Sequence, residues 1–329
     1  MSTVELATIW FVLIALLWFG YLFLEGFDFG VGMLLHVLGR DDTERRVMVN
    51  TIGPVWDGNE VWMIVAVGAT FAAFPSWYAS LLSGAFLPVL VILLALIGRG
   101  VAFEYRGKVD SARWRRNWDR VILLGSWLPP LGWGLVLTAT VVGLPLNARG
   151  DLVGGPIALL RWETLLGALA VAGFSLVHGA VFTALKTEGE IRDCARRLAL
   201  QVGPFALLPL AGLLGFSLLG GAIVLTLGAL ALWRLSIGRE GQAFALLGGL
   251  AAAAIATLFG SLYPDVLPST LDTAFSLTVA NASASPYTLT VMTWVAGFGT
   301  PAVLAYQAWT YWVFRQRIGT RHIPAVHTP

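Results

Sequence analysis

Long apolar runs follow one another along almost the whole chain, broken at intervals by short clusters of charge, proline or glycine. A membrane-crossing helix needs roughly 20 apolar residues. On that measure the pattern predicts nine spans, near 7–37, 56–75, 77–99, 119–143, 161–185, 199–219, 221–236, 243–263 and 288–314. The run at 221–236 is short, and only Gly220-Gly221 separates it from its neighbour, so merging the two would leave eight. The segment 264–287 has no Lys or Arg, and Pro264, Pro268 and Pro286 keep it from being one continuous helix.

Composition agrees. Of 329 residues, 57% are hydrophobic and 12% charged, where a soluble domain shows about 45–50% and about 25%. Mean hydropathy is +0.77. These values exclude a soluble enzyme and a disordered chain, and predict one integral membrane domain over 1–329. The single cysteine, Cys194, excludes an internal disulfide and any CxxC metal site.

The net charge of +2 says little, but its distribution says more. With nine spans and the N-terminus outside, every Lys and Arg except Arg149 and Arg161 falls on the cytoplasmic side. Eight spans would put Arg315, Arg317 and Arg321 outside, which favours nine. The first span reads as a retained helix and not a cleaved leader, since Met1 to Leu6 carries Glu5 and no Lys or Arg. The basic loop 100–118 reads as a topology determinant in contact with lipid headgroups, and no patch suggests nucleic acid.

Charge at membrane depth is costly and needs a reason. Glu25 and Asp28 sit three apart near the inner end of the first span, beside Gly26, Gly30 and Gly32, which permit close helix approach. Asp57 and Glu60 open the second span at similar depth, after Trp56, and Arg99 ends the third, with Glu104 just beyond. The pattern gathers these groups at one level near the cytoplasmic face. Two have a plainer reading, Asp57 as a helix cap and Arg99 as neutralising a carboxylate at a helix seam; Glu25 and Asp28 are harder to dismiss, since two acids on one transmembrane face are costly unless something uses or pairs them. His178 is the one histidine in mid-membrane and reads as a hydrogen-bonded structural residue. His36 lies at the inner end of the first span, with His322 and His327 in the tail, so no pair of axial haem ligands is evident.

At these same residues the sequence resembles subunit II of the cytochrome bd-type quinol oxidases. The stretches that carry the likeness are EGFDFGVGML (25–34), GRDDTERRVMVNTIGPVWDGNEVW (39–62), RGVAFEYRGK (99–108), WRRNWD (114–119), YPDVLPST (263–270) and LTVMTWV (289–295). Glu25 stands where the family pattern has Asp, which keeps a carboxylate. The region 144–260 matches only in hydropathy. It lacks the extended outer loop that longer members carry between helices six and seven, so any role of that loop is not carried over.

The resemblance implies an all-α polytopic fold of nine helices, two four-helix bundles plus a peripheral helix. It implies a multi-pass subunit of the bacterial plasma membrane that packs against a heme-bearing subunit I. Hemes b and d and the quinol site are expected in that partner, and no cofactor in this chain. The complex would reduce O2 to water with electrons from quinol, electrogenically and without pumping, as part of aerobic respiration. A structural quinone or lipid in this chain and small accessory subunits stay open. Glu25, Asp28, Trp56, Asp57, Glu60 and Arg99 are expected to line or support a proton pathway from the cytoplasm. Two other readings remain at this point. One is an H+- or Na+-coupled secondary transporter; against it, the acids cluster in the first half and no inverted repeat is evident. The other is a purely structural scaffold of the same oxidase with its acids in ion pairs.

Overall fold

The structure is a computed structural model and describes residues 3–323. Twelve α-helices account for most of it: α1 (Thr3–Leu38), α2 (Asp42–Ile52), α3 (Trp56–Ala73), α4 (Pro75–Gly84), α5 (Phe86–Tyr105), α6 (Ala112–Val142), α7 (Trp162–Lys186), α8 (Gly189–Ala206), α9 (Leu208–Leu213), α10 (Leu218–Ser236), α11 (Glu240–Leu262) and α12 (Pro286–Val313). Between α11 and α12 lies a small antiparallel pair, β1 (Asp265–Leu267) and β2 (Leu277–Thr278).

Eight of the helical segments are long and apolar enough to cross a membrane: α1, α5, α6, α7, Gly189–Phe216, α10, α11 and α12. The ninth expected span corresponds to α3, whose 18 residues begin Trp-Asp-Gly-Asn-Glu. That polar first turn lowers its hydropathy, and the remainder is apolar.

Helix α1 packs on α3, α6 and α7, α5 packs on α6, and α6 packs on α7; beyond α7, the helices α8, α10 and α11 pack in succession, and α12 touches α1 and α3. Trp10, Phe11, Trp18, Trp77, Trp133 and Phe259 dominate one buried core, and Phe27, Leu34, Leu35, Met48, Phe182 and Leu247 the other. The chain segments at the two ends are distinct. Leu144 bridges to Ser269 at one end, and at the other Thr187 bridges to Ile318 while Arg40 pairs with Glu190.

Local chemistry explains the boundaries. Asp41 caps α2 by accepting from Glu44 N at 2.8 Å, and the Glu44 carboxylate accepts from Arg40 N at 2.8 Å, closing the turn reciprocally. In α2, Glu44, Val47, Met48, Thr51 and Ile52 are buried, one stripe of an amphipathic helix. Ser285 caps α12 by accepting from Thr288 N, with Pro286 in the first turn.

Two expected spans are displaced. The run 77–99 is not one helix: it divides at Ala85 into α4 and α5, and the crossing segment is Phe86–Tyr105. Ala85 leaves helical geometry at φ −94° and ψ 21°, and Pro88, with no N–H to donate to the carbonyl of Gly84, favours a break in that turn. Arg99 consequently lies inside α5 and not at its end. The expected break at Gly220-Gly221 is also absent. Both glycines lie within α10, and the chain turns at Ser217, whose side chain accepts from Gly220 N at 3.1 Å. Gly220 is a packing glycine, since a Cβ there would stand 2.8 Å from Thr257.

Candidate functional site

The acids of α1 do not share one partner. Glu25, Asp28, Asn59 and Arg99 are all 0% exposed, yet the two carboxylates face different helices. Glu25 forms an ion pair with Arg99 of α5 through Nη2 and Oε1. One turn later Asp28 faces α3, and its Oδ2 accepts from Asn59 Nδ2 at 2.7 Å. Residues three apart lie on one side of a helix, offset by about 60°, and across that offset Glu25 meets α5 while Asp28 meets α3.

Glycines make room for the arginine. A Cβ on Gly125 of α6 would stand 2.6 Å from Arg99 Cβ, so α6 approaches α5 closely there. The guanidinium carbon lies 4.5 Å from the Phe29 ring centroid and 5.6 Å from that of Phe103, a cation–π placement on two faces. Arg99 Nε and Nη1, Glu25 Oε2, Asp28 Oδ1, Tyr21 Oη and Ser126 Oγ are buried without a hydrogen-bond partner among the described residues. These polar atoms come from α1, α5 and α6. Buried polar atoms without partners are uncommon in folded proteins.

Asn59 is the hub on the other side. Its Oδ1 accepts from Tyr311 Oη at 2.7 Å and from Gln307 Nε2 at 3.3 Å, both on α12. Gln307 Oε1 in turn accepts from Trp62 Nε1 at 2.9 Å. Glu60 is half-buried on the same helix as Asn59, and Asp57 is exposed. Asp57 makes no hydrogen bond or ion pair among the described residues. It does not cap α3, whose N-cap is Val55 and carries no side-chain cap. Trp56 is half-buried, its ring 5.2 Å from that of Phe103 and in contact with the space over Gly100.

The six residues expected from sequence therefore form a graded set: Glu25, Asp28 and Arg99 buried, Trp56 and Glu60 half-buried, Asp57 exposed. Glu104 is exposed near the end of α5 and stands apart from them. His178 is fully buried among Phe23, Phe27, Phe174 and Phe244, with Nε2 3.0 Å from the carbonyl of Phe23. His322 binds the tail to itself through Gly319 N, and His327 lies outside the described residues. Among the described residues no group of three or more His, Cys, Asp or Glu is placed to hold a metal.

Asn59, Gln307 and Tyr311 were not anticipated. A signal existed for one of them: Gln307 is the one amide in the 28 residues of α12, and a lone amide in an apolar span needs a partner. A second buried cluster was also missed. Asp119 of α6 receives Arg106 Nε at 2.5 Å and lies 3.6 Å from Arg45 Nη1, while Arg106 Nη2 reaches Asp42 at 2.7 Å.

Comparison with known proteins bears on all of this. The profile of the family described as "Cytochrome bd terminal oxidase subunit II" matches residues 6–314. The chain is 40% identical over 328 residues to "Cytochrome bd ubiquinol oxidase subunit 2" of Bacillus subtilis, covering 95% of this chain and 97% of that one. It is 34% identical over 358 residues to "Cytochrome bd-I ubiquinol oxidase subunit 2" of Escherichia coli, with 94% of each covered. Among solved structures, a chain of the bd oxidase from Geobacillus thermodenitrificans superposes with a TM-score of 0.76 at 18% identity, over 94% of this chain and 97% of that one. At that identity the likeness speaks to the fold.

Proposed function

Because the chain belongs to the cytochrome bd terminal oxidase subunit II family, we propose that it carries protons from the cytoplasm toward a heme-bearing subunit I while holding that subunit in place. The complex is a membrane-bound quinol oxidase, and the transporter reading gives way to it. In the proposed arrangement the N-terminus faces outward and the end bearing Arg40, Arg106 and Arg321 faces the cytoplasm. That placement is supported by the distribution of Lys and Arg.

Reduction of O2 to water consumes a proton for each electron, and protons cross an apolar layer only along groups able to hold them. The observation that carries the reading is the gradient of exposure from Asp57 through Glu60 to Asp28 and Glu25. Asp57 stands open at the first turn of α3, Glu60 is one turn further in, and Asp28 is reached beside Asn59. Hemes b and d belong to the partner in this reading and supply the electron chemistry there. This chain's residues hold and pass protons, and Arg99 balances the charge of Glu25.

The partner's face is proposed to be that of α3 and α12. Only 6% of the most apolar stretch of α12 is buried, and Trp294, Phe298, Tyr306, Trp309 and Trp312 are exposed along it. On α3, Val61, Ile64 and Val65 are exposed beside Glu60. A charge-bearing helix seldom presents carboxylates to lipid, so a protein neighbour suits this side.

The test is Asp28→Asn in the whole oxidase. Quinol-driven O2 consumption should fall about a hundredfold, the lower end of general acid–base contributions, while assembly and the reduced heme spectrum stay unchanged. Full turnover would leave the scaffold reading, for which the neutralised Glu25–Arg99 pair already argues.

A further inference from the structure

We infer that Trp62 sets the direction of a hydrogen-bond chain that reserves Oδ1 of Asp28, and not Oδ2, for proton exchange. The inference rests on the reading of Asp28 as a proton carrier. It concerns which atom of that carboxyl works, and which distant residue makes it so.

An amide side chain can turn end for end, exchanging its oxygen and nitrogen, unless its neighbours forbid it. An indole has no such freedom, because it donates and cannot accept. Trp62 Nε1 is 2.9 Å from Gln307, so the Gln307 oxygen must face the indole. Its nitrogen is then turned toward Asn59 and donates to Oδ1 at 3.3 Å. Tyr311 Oη donates to the same oxygen at 2.7 Å. With Oδ1 so engaged, the Asn59 nitrogen faces α1, donating to Asp28 Oδ2 at 2.7 Å and pointing at the Leu24 carbonyl at 3.4 Å.

Every polar atom of Asn59 is therefore committed in one sense only. Turning it would set N–H against N–H at Gln307 and carbonyl against carboxylate at Asp28. The polarity runs from Trp62 through Gln307 and Asn59 to Asp28, crossing from α3 to α12 and back before reaching α1. Gly20 of α1 secures the first link. A Cβ there would stand 2.2 Å from the Trp62 ring, so the six-membered ring of the indole packs against the backbone of α1.

The consequence for Asp28 is chemical. Oδ2 already accepts an N–H, while Oδ1 is buried and has no partner among the described residues. A proton arriving at this carboxyl binds at Oδ1 and leaves from it, and Oδ2 stays an acceptor throughout. Trp62, Gln307 and Asn59 are positioning residues in this scheme.

The purified whole oxidase tests this. Trp62→Phe keeps an aromatic ring and deletes the N–H. We expect a loss of about three- to tenfold in turnover, the effect of weakening one hydrogen bond to a charged group. KM for quinol and the heme spectrum should not change. Gln307→Leu cuts the next link and should give the same loss, which guards against a folding defect peculiar to Trp62. Asn59→Leu should cost at least as much. In the Asn59→Leu background, Trp62→Phe should cost nothing further, because the chain is already severed. A Trp62→Phe loss of equal factor in both backgrounds would overturn the inference, as would full turnover in both Trp62→Phe and Gln307→Leu. If Asp28→Asn slows the enzyme while those two do not, the positioning scheme alone fails. If Asp28→Asn itself turns over at the full rate, the proton reading and this inference fail together.

Discussion

Gly30 of α1 and Gly179 of α7 meet backbone to backbone. A Cβ on Gly30 would stand 2.0 Å from the carbonyl oxygen of Ser175 and 2.6 Å from Gly179 Cα, and one on Gly179 would stand 2.3 Å from Gly30 Cα. This crossing holds α1 against α7 and fixes the depth at which Asp28, half a turn away, enters the interior. Gly30→Ala should therefore force the helices apart at a cost of about 2 kcal/mol. A lowered melting temperature and yield of the assembled complex would show it; a wild-type melt would mean that the crossing tolerates a methyl group.

The Glu25–Arg99 pair makes a second prediction through its complete burial. Removing one partner strands a charge, so Arg99→Leu or Glu25→Leu should each cost about 3–5 kcal/mol. Replacing both at once, Glu25→Gln with Arg99→Met, should recover most of that stability in thermal unfolding. Turnover should not recover with it if Glu25 handles protons, and so one double variant separates scaffold from pathway.

Asp57 is exposed and makes no hydrogen bond or ion pair among the described residues. Asp57→Asn should leave stability within about 0.5 kcal/mol of the parent while slowing quinol oxidation. Unchanged turnover would move the point of proton entry to Glu60.

At the basic end, Asp119 is 1% exposed and anchors Arg106 and Arg45. Asp119→Asn should cost about 3 kcal/mol and release the turn at 106–111. Hydrogen exchange should speed up in that turn and in α2, with exchange in α12 unaffected.

The clasp between α2 and α8 should depend on pH. Hydrogen bonds from Arg40 hold the Glu44 carboxyl below its usual 4.5. A depressed carboxyl contributes its full stability above the unfolded-state value and loses it as pH falls through the folded one. Thermal stability should accordingly drop on acidification below about pH 4.5, and Glu44→Gln should flatten that part of the profile. An identical acid limb in Glu44→Gln would assign the drop to other carboxylates.

Hydrophobic pattern, charge placement and residue spacing were legible without coordinates because each is a property of the chain read in order. Apolar length fixed the number of long helices to within one, and the scarcity of charge pointed to Glu25, Asp28, Glu60 and Arg99. Boundaries were less legible where proline and capping override hydropathy. Pro88 moved the third crossing to Phe86–Tyr105, and Ser217 placed the turn that Gly220-Gly221 had suggested.

Partnership is a different kind of fact. Glu25 and Asp28 look alike in the sequence, yet one meets Arg99 and the other Asn59, because α1 is seated against α3, α6 and α7 at glycines whose contacts are remote in the chain. Asn59 lies 248 residues before Gln307 and 252 before Tyr311. No local pattern joins positions so distant. Residue type determined which groups could titrate, and only the packing of α12 across α3 decided which oxygen of Asp28 takes the Asn59 hydrogen bond.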